Sequence, residues 1–424
     1  MSPDKAETYY SATANDPTRY PKLVGPVRAD VCIIGGGFSG VATALTLAER
    51  GRSVVLLESG RLGNAASGRN GGQMIAGISG EGTVKRQLGA AGARLLEDIR
   101  YRGIEIIEER VRKYSIACDL KHGWVEAAVR PSHMKALTAY YEDRVALGEG
   151  DHLSLFGADE CESIVGTDIY CGGFIDRRSG HLHPLNLVLG EARAAAGLGA
   201  RIFEDSCALE LTGGARPRVL TASGSVEADS VVLAGNTDHK FDRGPLLGVQ
   251  LPIGSYIIAT EPLEPGLAAK INPHDYAIAD SNIVVDYYRM SADHRVLFGG
   301  RCNYSNRDPQ DLVATMRPRL AKVYPRLKDV RIDFAWGGRL GLTINRAPAI
   351  GTLEPNVYYM EGFVGQGVAT SHVVAEIISD AVCGTTEKFD LFSRIRHVRL
   401  PIGEWAGNQL LALGMLYYRM RDLL

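Results

Sequence analysis

The sequence predicts an α/β fold, because a strand, a glycine-rich turn and a helix follow one another twice, once near each end of the chain. The first unit is the apolar run Val31–Ile34, which leads into a turn with glycines at positions 35, 37 and 40. The second is the strand-like run Val357–Met360, followed by Gly362–Gly367 and by Val368–Val382, which has helical character. In each unit a short apolar strand passes through a tight turn into a helix.

The first glycine turn has the spacing of a dinucleotide-binding site. Gly35, Gly37 and Gly40 give the pattern G-x-G-x-x-G, in which the glycines permit the turn, the approach of a pyrophosphate and the packing of the helix. The strand-like run Ser53–Leu57 then ends in Glu58, about 20 residues past the turn, where a carboxylate binds ribose hydroxyls. The alternative is a turn that only packs a helix on a sheet. The cofactor contacts predicted here are Gly35, Gly37, Phe38, Ser39, Gly40, Glu58 and Ser59.

The second glycine turn predicts a ligand long enough to meet two helix N-termini. FAD has this length, with its pyrophosphate at one end and its isoalloxazine ring at the other. A positive helix end beside the N1/O2 edge of the ring stabilises the charge that two-electron reduction leaves there. The alternative is a turn that serves only close packing. The contacts predicted here are Gly365, Gln366, Gly367 and Val368.

Between the two units, apolar periodicity and turn residues predict a mixture of helices and strands. Apolar residues recur at helical spacing from Leu95 to Val111, and a β-meander is expected over Ala208–Val226. The other predicted helices are Pro131–Leu147, Leu185–Gly197 and Leu312–Tyr324. The other predicted strands are Gly123–Val129, Ala200–Glu204, Asp229–Ala234, Tyr256–Thr260, Ile283–Tyr288 and Arg295–Phe298.

Composition limits the class of protein. A chain of 424 residues is expected to form two or more domains, and 45% apolar with 23% charged residues is ordinary for a globular protein. A net charge of −2 argues against nucleic acid as the main partner. The seven cysteines are scattered without a C-x-x-C pair, which predicts neither a metal site nor disulfides and fits a reducing, cytoplasmic setting.

The two ends of the chain show no membrane or export signal. The first residues are polar and lack an apolar secretory segment, and the apolar run Leu410–Leu416 is too short to cross a bilayer. This run predicts a terminal helix that packs on the body of the protein or forms a subunit interface of a homo-oligomer. Peripheral membrane contact is the alternative.

Several motifs make the chain similar to the D-amino-acid-oxidase-like (DAO) superfamily of FAD-dependent amine oxidoreductases. Within it, the chain resembles the γ-glutamylputrescine oxidoreductase group over nearly its whole length. The segment that carries most of this resemblance is Ser67–Gln73, with the sequence SGRNGGQ. The others are Ser179–Pro184, Gly254–Pro262, Thr343–Pro348 and Leu413–Arg419.

The resemblance implies a Rossmann-like FAD-binding domain built from discontinuous segments, with an α+β substrate domain whose sheet is mixed or antiparallel. The implied segments are an N-terminal arm (1–27), an FAD domain (28–90, 185–248 and 335–385), a substrate domain (91–184 and 249–334) and a C-terminal helical tail (386–424). It also implies that a loop lies along the flavin, that Ala208 meets the adenine, and that Gly235 lines the dinucleotide path; Gly338 is predicted as a further cofactor contact. The residues of that loop are Ser67, Gly68, Arg69, Asn70, Gly71, Gly72 and Gln73.

The resemblance also bears on how the flavin is attached and tuned. Several relatives have a histidine where this chain has Gln366, and an amide cannot supply a positive charge there. Neither His nor Cys occurs in Ser67–Gln73. FAD is therefore expected to be bound non-covalently.

Oxidation beside an amine sets requirements on the site. Hydride leaves the carbon only when the nitrogen lone pair is free, so the pocket must favour the neutral amine by desolvation or by a nearby base. The predicted catalytic residues are His181, Tyr288 and Trp336. For His181 a structural hydrogen bond is the alternative, for Trp336 core packing, and only one of Tyr287 and Tyr288 can face the flavin.

Two arginines, Arg301 and Arg339, are predicted to bind a substrate carboxylate through bidentate bonds, although an ion pair is the commoner role of a single arginine. The leading hypothesis is oxidation of a substituted diamine, such as γ-glutamylputrescine, to an imine and then to an aldehyde and ammonia. Oxygen or another acceptor takes the electrons. The alternatives are a secondary N-alkyl amino acid or D-amino acid as substrate, and a flavin-binding module without turnover.

Overall fold

The structure, a computed structural model, describes residues 6–237, 240–303 and 308–400, without the side chains of residues 301–303. Its helices are α1 (Tyr9–Ala12), α2 (Phe38–Glu49), α3 (Glu81–Ile99), α4 (Arg102–Lys113), α5 (Pro131–Ala146), α6 (Cys161–Val165), α7 (Pro184–Gly197), α8 (Pro265–Ile271), α9 (Leu312–Val323), α10 (Gly367–Val382) and α11 (Glu387–Ser393). Its strands are β1 (Gly25–Ile34), β2 (Val54–Leu57), β3 (Gln73–Met74), β4 (Lys121–Ala127), β5 (Leu153–Gly157), β6 (Gly172–His181), β7 (Arg201–Phe203), β8 (Glu210–Thr212), β9 (Arg218–Leu220), β10 (Gly224–Leu233), β11 (Gln250–Thr260), β12 (Ala277–Asp280), β13 (Tyr287–Met290), β14 (Val296–Asn303), β15 (Ile332–Thr343), β16 (Ala349–Glu354) and β17 (Val357–Glu361).

The first sheet has the parallel order β7–β2–β1–β10–β17, with β16 antiparallel at one edge. The meander β8–β9 joins it antiparallel to β10. Other elements cover both faces of this sheet, so its central strands can be apolar on both faces. Val31–Ile34 of β1 is accordingly buried at every position. Helices α2, α7 and α10 pack together over one face.

The second sheet is mixed, in the order β15–β11–β14–β13–β12–β4–β6–β3, with β5 paired to β6. All of its pairs are antiparallel except β12 with β4. Helix α9 covers one face, where its residues Met316 and Leu320 form a buried cluster with Ile258 and Phe298. The predicted α/β fold with a second, mixed sheet is confirmed.

Two of the expected segment boundaries are wrong. The boundary at residue 335 falls inside β15, which pairs with β11 from Ile332 to Thr343 and therefore belongs to the second sheet. The boundary at residue 91 places α4 in the substrate domain, whereas Ile104 and Ile107 of α4 are buried in the core of the first sheet. Both errors arise because packing partners far apart in the chain decide where a domain ends.

Other expectations need smaller corrections. The helical spacing from Leu95 to Val111 belongs to two helices, α3 and α4, which are separated at Arg100 and Tyr101. The polar N-terminal arm contains the short helix α1, whose Tyr10 is fully buried.

In the predicted tail, α11 lies within the described part of the chain, while residues 401–424, with the expected terminal helix, lie outside it. No described helix combines the length and the apolar character that a membrane crossing requires.

Candidate FAD site and active site

The first glycine turn leaves no room for side chains. Gly35 has φ +114°, and a Cβ there would lie 2.6 Å from the carbonyl oxygen of Ala234. A Cβ on Gly37 would lie 2.6 Å from Oγ of Ser67, and one on Gly40 would overlap the carbonyl oxygen of Gly35. The turn is therefore compact enough for helix α2 to begin directly behind β1.

Glu58 ties the end of β2 to this turn. One of its carboxylate oxygens accepts from the backbone N–H of Gly36 at 2.7 Å, and the other accepts from Gly60 N–H at 2.8 Å and Ser59 Oγ at 3.0 Å. These bonds hold the carboxylate at the rim of the cavity described next. Nearby, Ser67 Oγ accepts from the backbone N–H of Phe38 at the start of α2, at 2.9 Å.

A cavity of about 730 Å³ runs along the turn and continues to the second sheet. At one end it is lined by Glu58, Cys207 and Ala208, and at the other by Trp124 and Tyr287. All of the predicted cofactor contacts line it except three glycines, Gly40, Gly68 and Gly72. These three lie behind the wall, where a Cβ would overlap the carbonyl oxygens of Gly35, Gly63 and Leu182 respectively.

Helix N-termini reach the cavity from two directions. Helix α2 begins at Phe38, and helix α10 begins at Gly367 after Gly365, which has φ +82°. Phe38, Gly365 and Gly367 all line the cavity. The side-chain amide of Gln366 donates to the carbonyl oxygen of Ala76 at 3.1 Å. The cavity therefore has two positive helix ends, as a long anionic ligand with two polar regions requires.

The SGRNGGQ loop is held mainly by its own polar side chains. Arg69 donates to the carbonyl oxygens of Asn64, Gly337 and Ala6 at 3.1, 3.1 and 2.9 Å. The amide of Asn70 donates to Ala66 and Ser67 and accepts from Gly72 N–H. The side-chain amide of Asn70 therefore forms hydrogen bonds within the loop that the resemblance places along the flavin.

The three predicted catalytic residues do not line the cavity. His181 is buried, its Nε2 lies 2.7 Å from the carbonyl oxygen of Asp275, and burial lowers its pKa to about 3. Trp336 is fully buried and donates from Nε1 to the carbonyl oxygen of Arg69 at 3.0 Å. Both therefore have the structural roles that were the alternatives.

Tyr288 was the wrong choice between two neighbouring tyrosines. Its side chain points into the core under α9, where it stacks on Phe298 and its hydroxyl lies 3.0 Å from that of Tyr170. Tyr287 points the opposite way, lines the cavity, and has its hydroxyl 3.1 Å from Ser255 Oγ. Alternation along β13 allows one tyrosine to face the cavity, and the packing of α9 decides which one.

Of the two predicted carboxylate-binding arginines, Arg339 lines the cavity. Arg301 lies in β14, and its side chain is outside the described residues.

Two acidic residues that sequence reasoning missed line the cavity, Asp280, which is buried, and Glu126, which is half-buried. The pKa of Asp280 is raised to about 7, first because burial penalises its charge and second because the carboxylate of Asp286 lies near it. Burial also raises the pKa of Glu126, which accepts a hydrogen bond from Ser281 at 3.0 Å. Parallel pairing of β12 with β4 places Glu126 opposite Ala279, the residue before Asp280, and no local pattern in the sequence signals that pairing.

Comparison with known proteins assigns the class. Residues 30–381 match the family FAD dependent oxidoreductase (DAO), and the chain belongs to this family. Its site fits FAD, because residues of the glycine turn, the acidic residue Glu58 and two helix N-termini line one continuous cavity. The protein is therefore an FAD-dependent oxidoreductase.

Individual relatives cover almost the entire chain. The gamma-glutamylputrescine oxidoreductase of Escherichia coli (strain K12) is 37% identical over 423 residues, which are 99% of both chains. The probable oxidoreductase OrdL of Haemophilus influenzae is 35% identical over 99% of this chain and 98% of its own. Among solved structures, glycine oxidase from Geobacillus kaustophilus has the same fold, with a TM-score of 0.73 and 21% identity over 88% of this chain and 99% of its own.

Proposed function

We propose that this protein is an amine oxidoreductase that oxidises the carbon–nitrogen bond of a substituted diamine such as γ-glutamylputrescine. Hydride leaves the carbon beside the amine, and water converts the resulting imine to an aldehyde and ammonia. The observation that carries the proposal is the end of the cavity at the second sheet, where the acidic residues Glu126 and Asp280 and the aromatic residues Trp124 and Tyr287 all line the wall. Bound FAD supplies the two-electron acceptor.

The carboxyl groups are suited to an amine that arrives as a cation. Glu126 and Asp280 attract an ammonium group, and a carboxyl whose pKa lies near 7 exchanges protons at neutral pH. Asp280 receives bonds from the backbone N–H of Asn282 and Asp286, both at 3.1 Å, so its carboxyl group has a fixed direction. We assign Asp280 the role of proton acceptor from the ammonium group.

The aromatic wall has a separate task. Tyr287 and Trp124 exclude water from the reacting end, and Trp124 is itself fixed by donating from Nε1 to Oε1 of Gln73 at 3.1 Å. A dry pocket favours the neutral amine, from which hydride leaves.

The identity of 37% with a gamma-glutamylputrescine oxidoreductase over both full chains supports an N-acylated diamine as substrate. Arg339 on the cavity wall supports a substrate with a carboxylate, which a γ-glutamyl group carries. The same arginine favours the second candidate, a secondary N-alkyl amino acid or a D-amino acid.

We further propose that FAD is held without a covalent bond and that oxygen or another acceptor reoxidises it. The described cavity lining contains no histidine, and its one cysteine, Cys207, lies at the adenine end beside Ala208. Free buried thiols at Cys32, Cys118 and Cys161 support a reducing, cytoplasmic setting.

Steady-state kinetics on a panel of amines tests the substrate. We expect the highest kcat/KM for γ-glutamylputrescine over putrescine, an N-methyl amino acid and a D-amino acid, with aldehyde and ammonia formed in equal amounts. A preference for either amino acid would replace the diamine with the second candidate. Turnover of none would refute both.

A further inference from the structure

Arg289 is a buried arginine directly behind the SGRNGGQ loop (Ser67–Gln73). It lies on β13, is 4% exposed, and donates from Nε to the carbonyl oxygen of Gly71 at 2.7 Å. Gly71 itself lines the cavity. The guanidinium also prevents any side chain at Gly72, where a Cβ would lie 2.8 Å from Nη2. One peptide group therefore separates this cation from the cavity.

The other hydrogen bonds of Arg289 go to neutral groups. Nη1 donates to the carbonyl oxygen of Met290 at 3.0 Å, and Nη2 donates to the hydroxyl of Tyr10 at 3.2 Å. In the described part of the chain, no carboxylate lies within ion-pairing distance of this guanidinium.

The ionisable groups packed around Arg289 do not balance its charge. Asp275 and Asp293, on neighbouring segments, are paired with Lys121 and Arg295. His181 and His183 have pKa values lowered to about 3 by burial and by Arg289, so both are neutral. Tyr9 and Tyr10 have pKa values raised by burial, so they are neutral as well.

A buried cation without a counterion is costly, and such groups are typical of sites where negative charge arrives or develops. Two-electron reduction of a flavin adds negative charge to its ring. We propose that Arg289 is a positioning residue that holds the Gly71 carbonyl and, through its uncompensated charge, stabilises the reduced flavin. This inference depends on FAD binding and is independent of which amine is the substrate.

Sulfite provides the test, because it adds to N5 of oxidised flavin and leaves negative charge on the ring without any amine. In the FAD-bound protein, we expect Arg289→Gln, which keeps a hydrogen-bond donor, to weaken sulfite binding by about tenfold or more. Arg289→Lys keeps the charge and should stay within about threefold of the wild type. If Arg289→Gln does not retain FAD, Arg289→Met gives the same comparison.

A control variant separates the effect of charge from the effect of structure. Tyr10→Phe removes the hydroxyl that accepts from Nη2. It should lower thermal stability and leave sulfite affinity within about threefold of the wild type, because it keeps the Arg289 charge. Equal sulfite affinity in Arg289→Gln and the wild type, or equal weakening in Arg289→Gln and Arg289→Lys, would overturn the proposal.

Discussion

Among individual side chains, Asp280 has the most direct link to chemistry. This residue lines the cavity, and the pKa of its carboxyl is raised to about 7, so the carboxyl is protonated in acid and ionised above neutrality. As the acceptor of the ammonium proton it must be ionised. We therefore expect kcat/KM to rise with pH through about 7, and Asp280→Asn to lose this rise and about 10²-fold in kcat/KM.

Asp286 supplies the matched control for Asp280. It does not line the cavity and forms an ion pair with Arg319 at 2.7 Å, but its negative charge helps to raise the pKa of Asp280. Asp286→Asn should therefore keep most of the activity and move the rise to lower pH. If the pH dependence of kcat/KM is identical in the wild type, Asp280→Asn and Asp286→Asn, Asp280 is excluded as the base.

The raised pKa also predicts a change in folding stability. The folded protein holds the proton of Asp280 more tightly than the unfolded chain does, so this contribution is present in acid and is lost as pH rises from about 4 through about 7. Asp280→Asn should be more stable than the wild type at pH 8 by on the order of 2 kcal/mol, and closer to it at pH 4. Urea denaturation at the two pH values measures the difference.

Tyr287 and Tyr288 form a second matched pair. Tyr287→Phe removes a hydroxyl that faces the cavity and should change KM or kcat several-fold with little loss of stability. Tyr288→Phe leaves the hydroxyl of Tyr170 unpaired in the core and should lower the free energy of unfolding by about 1–2 kcal/mol with unchanged kinetics. The reverse pattern would contradict the roles given to Tyr287 in the cavity and Tyr288 in the core.

The sequence predicts where helices and strands lie better than it predicts which of their side chains point to the core and which to the cavity. Both strand–turn–helix units were predicted within a few residues, because apolar periodicity and glycine spacing are local signals. The choice of Tyr288 failed because the buried face of β13 is decided by α9, which is distant from it in sequence. Glu126 and Asp280 were missed for the same reason, since β4 and β12, which carry them, are distant in sequence and pair only in the fold.

A further prediction concerns the first glycine turn, which we propose binds the diphosphate of FAD. A Cβ at Gly40 would overlap the carbonyl oxygen of Gly35, so Gly40→Ala must open the turn. We expect FAD affinity to fall at least about tenfold. Gly197→Ala is the control, because Gly197 ends α7 where an added Cβ would have nothing within 4 Å, and it should leave FAD affinity unchanged. Equilibrium titration with FAD measures both variants, and equal affinities would contradict the role of the turn.

In the molecule as a whole, both sheets contribute residues to one cavity. The first sheet and its helices supply the glycine turn, Glu58 and two helix N-termini, while the second sheet supplies Tyr287, Asp280 and Glu126. The resemblance to a known family anticipated this division. It could not place the boundaries, because β15 is continuous in the chain with the FAD segment and yet pairs with β11.

The central claim is that this cavity holds FAD and presents it to an amine. Anaerobic addition of γ-glutamylputrescine to the purified, FAD-bound protein, followed by the visible spectrum, tests it most directly. We expect the amine to bleach the flavin absorption, and acid denaturation afterwards to release the cofactor from the chain. A bound flavin that dithionite bleaches but no amine in the panel does would contradict the claim.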